Sequence, residues 1–432
     1  MAIPSNTARE RIDLSTLARS DGRPVIGFVV WPQKGHIYPT FHLARKLRGL
    51  GADVWYFGAR SAADIIKEQA FEFVAVAPDP DDPEFKAKTP SEKSKFIQAQ
   101  IPRLVEEIKE AGLTHLFVDP LLHVGAIAAL MAAVPVWYFW VMNPCYFRAK
   151  HRPFTYSTKR FMLPVYRHAP FLHWIPQFCF WRWWLHQQKK QKHYTLHSLT
   201  KDTAAKFGYE MVLTSYGYRA DLPAIVLSPE TFKHCDDKST TYLGIGVDFS
   251  RREAPFAPPA GQRVVYVSLG TNFSQYPEAG RIIEAVCEAA REMPGVSFVI
   301  QIPESFRSAE PAGANVTMMT NTPALSILSA ASAAITHGGF GAIKECISLG
   351  VPMLAVPFFY DQPANAIKLE DLGLGIAVSP KRVTATLVKS CLTRLFHGDE
   401  YKDRLQRFRE NAIAGDRYDA FCSAILKVPP SR

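Results

Sequence analysis

Apolar positions in the first 140 residues alternate between two periods. Residues 25–30 form a short, mostly β-branched run that reads as a buried strand. A turn-rich stretch follows, Trp31-Pro32-Gln33-Lys34-Gly35-His36. Pro39 then opens a predicted helix in which Phe41, Ala44, Leu47 and Leu50 recur at helical spacing until Gly51 stops it. Residues 52–57 are the next predicted strand. Strand, glycine loop, helix, strand is a βαβ unit, the building block of parallel sheets with right-handed crossovers. The alternation continues with an amphipathic helix over 96–111, a strand over 115–118 ending on Asp119, a helix over 125–133 and a strand over 136–140.

The uncharged stretch 124–143 is about long enough to span a bilayer, but Pro135 sits in its middle and aromatic and β-branched residues follow. It reads as a buried helix and then a buried strand, and no transmembrane segment is expected. Further on, βαβ begins again. Predicted strands at 263–268, 296–302, 333–336 and 353–356 alternate with helices at 279–292 and about 342–349. Between the two sets lies 248–262, with Pro255, Pro258, Pro259 and the mixed charges of Arg251-Arg252-Glu253, the best linker in the chain. The expected fold is α/β, two doubly wound domains. The expected divisions are 1–247, a linker 248–262, 263–399, and C-terminal helices over 400–432 that return to the N-terminal domain.

Composition fits this picture. The chain has 432 residues, 47% hydrophobic, 21% charged and 12% aromatic, which excludes disorder over most of its length. Its seven cysteines are scattered, odd in number and never spaced C-x-x-C, so neither a disulfide framework nor a zinc site is expected and a reducing, cytoplasmic setting is the default. Residues 1–23 lack the apolar core of a signal peptide.

The net charge of +10 is concentrated. No Asp or Glu occurs between Asp119 and Asp202, while eleven Lys or Arg lie from Arg148 to Lys201, leaving the remainder near neutral. Six of the eight tryptophans fall in nearly the same stretch. Three readings compete for this segment: a packed helical subdomain with a solvated basic face, an aromatic-lined pocket for a bulky apolar ligand, or peripheral contact with anionic lipid. Under the pocket reading Trp137, Trp140 and Phe147 line it. Nucleic acid is not expected, because no fold that recognises it is present.

Three glycine loops follow predicted strands, at the sheet edge where ligands sit in open parallel sheets. The loop His337-Gly338-Gly339-Phe340-Gly341 lets backbone N–H groups approach a phosphate at a helix N-terminus. It lacks the lysine and hydroxyl of a P-loop and the spacing of a dinucleotide site. A diphosphate without chelated metal fits it best.

The run from His337 through Ala342-Ile343-Lys344-Glu345, then Gly350-Val351-Pro352-Met353, Pro357 and Asp361-Gln362-Pro363-Ala364-Asn365, resembles the donor-binding signature of the UDP-glycosyltransferase family. Ser268-Leu269-Gly270-Thr271 and Gly35-His36-Ile37-Tyr38-Pro39 are similar to that family too. The resemblance implies a GT-B fold, two Rossmann-like domains facing across a cleft, and an inverting, metal-independent transfer of a hexose, glucose foremost. The co-substrate would be UDP-glucose or a dTDP-sugar, with no cofactor, and the acceptor a hydroxyl of a lipophilic small molecule.

Position by position, it implies that His337 and Gly338, Gly339, Gly341 and Ala342 hold the diphosphate with Thr271 in support. Glu345 would accept from the ribose hydroxyls, and Asp361 and Gln362, with Asn365 nearby, would read the sugar. His36 would be the general base and Asp119 its orienting partner. Two departures stand out. Ala342 replaces a frequent Ser or Thr. In Thr320-Asn321-Thr322-Pro323-Ala324, Pro323 is kept but the family's Trp and Gln/His are missing, which leaves uridine and thymidine both open. A nucleotide-sugar epimerase and a non-catalytic nucleotide-sugar binder are the rival readings.

Overall fold

The computed structural model describes residues 23–77, 79–80, 82–142, 146–147, 201–214, 217–233, 240–306 and 313–427. Nearly all of the basic, aromatic segment therefore lies outside the described residues, and Phe147 is placed only as part of a two-residue strand.

The first half builds a seven-stranded sheet. In chain order it has β1 (Val25–Val30), α1 (Lys34–Gly49), β2 (Asp53–Ala59), α2 (Ala63–Lys67), β3 (Glu72–Ala77), α3 (Pro83–Ala87), α4 (Pro90–Ala99), α5 (Ile101–Glu110), β4 (His115–Val118), α6 (His123–Met131) and β5 (Val136–Trp140). A small antiparallel sheet of β6 (Tyr146–Phe147), β7 (Met211–Thr214) and β8 (Gly217–Ala220) follows, then β9 (Ala224–Val226) and β10 (Thr240–Tyr242). The large sheet runs β10-β9-β5-β4-β1-β2-β3, parallel throughout.

After a stretch without helix or strand over 243–262, the second half repeats the plan. It contains β11 (Arg263–Ser268), α7 (Ala279–Arg291), β12 (Val296–Gln301), β13 (Val316–Met319), α8 (Ala324–Ala330), β14 (Ala331–Thr336), α9 (Phe340–Leu349), β15 (Met353–Ala355), α10 (Gln362–Asp371), β16 (Gly375–Ala377), α11 (Ala385–His397), α12 (Asp399–Ala414) and α13 (Tyr418–Ile425). Its six strands lie in the order β13-β12-β11-β14-β15-β16, again all parallel.

Both strand orders position the site. In the first sheet the chain leaves β1 toward β2 and β3, then crosses back to place β4 on the other side of β1. In the second it leaves β11 toward β12 and β13 and returns as β14. At such a switch point the two flanking loops part and leave a crevice at the carboxyl edge. The loops after β1 and β4 carry His36 and Asp119; those after β11 and β14 carry Thr271 and His337. Parallel pairing of Val29 with Val118, and of Ser268 with Thr336, brings each pair of loops out at the same level.

Each sheet is buried on both faces, as all-parallel sheets are. One cluster of the first half includes Phe28, Phe41, Tyr56, Phe117 and Phe139, and the last helix joins it through Tyr418, Cys422 and Ile425. Thus α13 packs back on α1, and the Arg417 N–H donates to the Leu243 carbonyl at 2.8 Å.

Several expectations shift. The helix over 96–111 is two helices, because Pro102 at the start of α5 has no N–H to continue α4. Helix α1 starts at Lys34, with Pro39 inside it, so His36 sits in a helical turn, not in a loop. The uncharged stretch 124–143 is α6 followed by β5, and among the described residues no helix is long and apolar enough to cross a membrane.

Candidate active site

A cleft of about 570 Å³ separates the two carboxyl edges. On its first wall, Nδ1 of His36 meets Oδ2 of Asp119 at 2.6 Å. The carboxylate is buried at 1% side-chain exposure, while the imidazole keeps 11%. Oδ1 of Asp119 accepts from the Leu121 N–H at 2.9 Å, which fixes the carboxylate at the start of the turn after β4. With Nδ1 committed, Nε2 is the nitrogen left to work in the cleft, and His36 borders it. A buried carboxylate holding an imidazole in one tautomer is the arrangement of a general base and its orienter.

The opposite wall is the His337 loop. Gly339 precedes α9, whose first N–H groups have no intrahelical acceptor and point to the cleft edge that Gly339, Gly341 and Ala342 line. Burial pushes the His337 imidazole down to about 4, against the pull of its hydrogen bond to the Ser268 backbone. Its Nδ1 is buried with no partner, an unpaired polar atom beside this cradle. The ring packs flat on glycines: a Cβ at Gly270 would come within 2.6 Å of it, and one at Gly339 would overlap it. Gly270 also holds φ +81, so glycine is required there twice over. Thr271 is exposed on the cleft rim.

Behind that loop, several expected sugar contacts serve as braces. Gln362 is buried; its Oε1 accepts from the Phe358 and Phe359 N–H groups at 3.0 and 3.3 Å, and its Nε2 donates to the Tyr276 hydroxyl at 3.0 Å. Asn365 is fully buried and donates to the Gly338 carbonyl and to Asp361. Gly338 and Asn365 do not border the cleft, so both act as support for the loop. Gln362 borders it with part of its surface, and so does Asp361. Burial pushes its carboxyl above the ordinary range, against the Asn365 hydrogen bond and the nearby charge of His36. Tyr360 beside it is exposed and holds φ 58, an unusual conformation for a tyrosine. Pro323 caps α8, and its neighbours Thr322 and Ala324, not the proline, face the cleft.

Two expected acceptor residues are corrected. Strand alternation sends Trp137 and Trp140 to opposite faces of β5. Trp137 packs on Phe117 and His115, and Trp140 is 2% exposed in the core. Neither borders the main cleft; Trp140 touches only a cavity of about 10 Å³ beside His36 and Asp119. Near His36 the apolar lining includes Trp31, Leu121, Val141 and Met142 instead. Each follows β1, β4 or β5, so the sequence signal was the residue just past each strand, not the aromatic within it.

Two charged groups were not anticipated. Arg251, from the linker, pairs with Glu345 and Glu253. Lys344 is 2% exposed and donates from Nζ to the Leu227 carbonyl at 2.7 Å, joining α9 to the end of β9. Burial pushes its amine from the usual lysine range down to about 7, with Glu345 pulling the other way. An unfolded chain keeps that proton to about pH 10.4, so between roughly 7 and 10 the unfolded state binds more protons and stability rises with pH. The slope from this one group is at most about 1.4 kcal/mol per pH unit. Denaturant melts at pH 6 and pH 9 should therefore show a smaller gain for Lys344→Met than for wild type. Identical gains would remove Lys344 from the balance.

Comparison with known proteins adds to this geometry. Residues 247–413 match the family model described as UDP-glucoronosyl and UDP-glucosyl transferase. The NDP-glycosyltransferase YjiC of Bacillus licheniformis is 28% identical over 194 residues, 43% of this chain and 48% of that protein. The oleandomycin glycosyltransferase of Streptomyces antibioticus is 32% identical over 193 residues, 43% of this chain and 44% of that protein. The chain thus spans about half the length of these relatives. Among solved structures, the glycosyltransferase of kitacinnamycin superposes with a TM-score of 0.68 at 23% identity, covering 93% of this chain and 98% of its own. That likeness shows the fold, which is GT-B.

Proposed function

We propose that this chain, whose residues 247–413 match the family model of UDP-glucoronosyl and UDP-glucosyl transferases, transfers a hexose from a nucleoside-diphosphate sugar to a hydroxyl of a lipophilic small molecule, with inversion and without a metal ion. The observation that carries the reading is the His36–Asp119 pair, 2.6 Å apart, facing a phosphate-type loop across one cleft. Oleandomycin and kitacinnamycin in the relatives' names support a lipophilic acceptor. Trp31, Leu121, Val141 and Met142 would receive its apolar body, while the basic, aromatic segment keeps its three readings, a membrane contact among them.

The chemistry follows from the two walls. His36 Nε2 takes the acceptor's proton as the oxygen attacks the anomeric carbon, and Asp119 stabilises the imidazolium that forms. The nucleoside diphosphate leaves on the opposite side, its growing charge met by the N–H groups at the start of α9, while the neutral His337 ring shapes the loop beneath them. A single in-line displacement inverts the anomeric centre. Glu345 accepts from the ribose, and Asp361 reads the sugar.

The test incubates the protein with UDP-glucose or dTDP-glucose, in the presence of EDTA, and a panel of lipophilic alcohols and phenols. A mass gain of one hexose, with the product anomer opposite to the donor's, is expected. Epimerised donor, or donor binding with no turnover on any acceptor, would support the rival readings instead.

The donor loop gives a second, sharper expectation. Asp361→Ala should weaken selection among sugars and leave affinity for free nucleoside diphosphate nearly unchanged. Gln362→Ala should weaken both, because it strands two backbone N–H groups, each costing about 1–3 kcal/mol when buried unpaired. Titration calorimetry with and without the sugar separates the two; equal profiles for the two variants would contradict the assignment.

A further inference from the structure

We propose that Arg251, in the segment joining the two sheets, is a positioning residue for the donor nucleoside: it holds the Glu345 carboxylate in the orientation that accepts the ribose hydroxyls. The proposal rests on the reading of Glu345 as the ribose acceptor and adds to it a residue outside the donor-loop motif.

Arg251 Nη1 donates to Oε1 of Glu345 at 2.9 Å, and Nε donates to Oε1 of Glu253 at 2.7 Å. The guanidinium lies over the Tyr38 ring at 4.3 Å, and its side chain is 4% exposed. Glu253 is itself anchored, its Oε2 accepting from the Leu325 N–H at 2.9 Å. One planar cation is therefore held by an aromatic face from the first half and two carboxylates, so its fork has little freedom to rotate. The segment is tied down as well, Asp248 to Arg45 at 2.7 Å and the Arg252 N–H to Gln69 at 2.9 Å.

Glu345 needs such a partner. Its side chain is 17% exposed on the cleft, and among the described residues Arg251 alone engages its carboxylate, leaving Oε2 free to accept. A free glutamate beside a diphosphate would be repelled and would spread over several rotamers. Arg251 offsets that charge and selects one orientation. The missing Trp and Gln/His around Pro323 make this more consequential, because the nucleoside has fewer other groups to orient it.

The test is calorimetric binding of uridine diphosphate and thymidine diphosphate, each against its 2′,3′-dideoxy counterpart. Wild type should prefer the hydroxyl-bearing member by about 10–100-fold, the range of hydrogen bonds to a charged group. In Arg251→Met the preference should collapse, with the dideoxy affinity little changed and, in turnover, donor KM raised far more than kcat is lowered. Arg251→Lys should fall between, since it keeps the charge but not the fork; it also carries the test should the methionine variant fail to fold. A preference surviving in both variants yet lost in Glu345→Gln overturns the proposal and leaves the Glu345 reading intact. Equal weakening of hydroxyl-bearing and dideoxy nucleotides would mean a merely structural role and also overturns it. A wild-type protein with no preference refutes the Glu345 reading and the proposal with it.

Discussion

Replacing His36 by alanine is expected to lower turnover by about 10²–10⁴-fold, the usual cost of losing a general base, while nucleoside diphosphate affinity stays nearly unchanged. His36 stands in the first turn of α1, on the wall opposite the His337 loop. Among the described residues its side chain bonds to Asp119 and not to the groups that would hold phosphate. The loss should therefore appear in kcat at saturating donor, not in donor binding. Acceptors with strongly acidic hydroxyls need less help and should lose less. Retention of more than about a tenth of wild-type turnover on a weakly acidic acceptor would exclude the role, since such a loss is below what base catalysis supplies.

Much of this site was legible because both halves obey one rule. Apolar runs of β-branched residues, each ending in a turn followed by a helical period, mark strands whose carboxyl edge carries ligands. Residues 25–30 and 263–268 follow it fully, 115–118 and 333–336 by the turn that ends each, and the two switch points place their loops together. Strands β3, β6 to β10, β13 and β16 did not stand out: most have only two to four residues, too few to show a period, whereas the equally short β4 and β15 are marked by the turns that bound them, Asp119-Pro120 and Gly350-Val351-Pro352.

Other features lie beyond what spacing can show. His36 and Asp119 are 83 positions apart, and only the pairing of β1 with β4 brings their loops together. Arg251 and Glu253 look like a solvated charge cluster in a proline-rich linker; their burial depends on where both sheets end. Lys344 carries no sequence signal of its own within the signature run, yet it faces the first half and is desolvated there. Trp137 and Trp140 misled in the opposite direction. Their size fits an acceptor wall, but a central strand covered on both faces spends such side chains on its core.

Asp119→Asn should be the most informative substitution, with a loss of about 10²–10⁴-fold in turnover and almost no loss of stability or donor affinity. The two carboxylate oxygens have different partners. Oδ1 accepts from the Leu121 N–H, which cannot reverse its polarity, and Oδ2 faces Nδ1 of His36. In the asparagine variant the amide oxygen must stay on Leu121, so the NH₂ group turns toward His36. Nδ1 must then accept, and the ring proton moves to Nε2, the atom that has to take the acceptor's proton. The fold keeps every hydrogen bond while the base is presented in the wrong tautomer, and no carboxylate remains to stabilise the imidazolium. Asp119→Ala imposes no tautomer, so it should be no slower than Asp119→Asn despite removing more atoms and leaving the Leu121 N–H unpaired. Turnover of the two variants at saturating donor, with thermal melts as control, decides the point: an asparagine variant close to wild type, or clearly faster than alanine, would mean that Asp119 serves the turn after β4 and not the proton transfer.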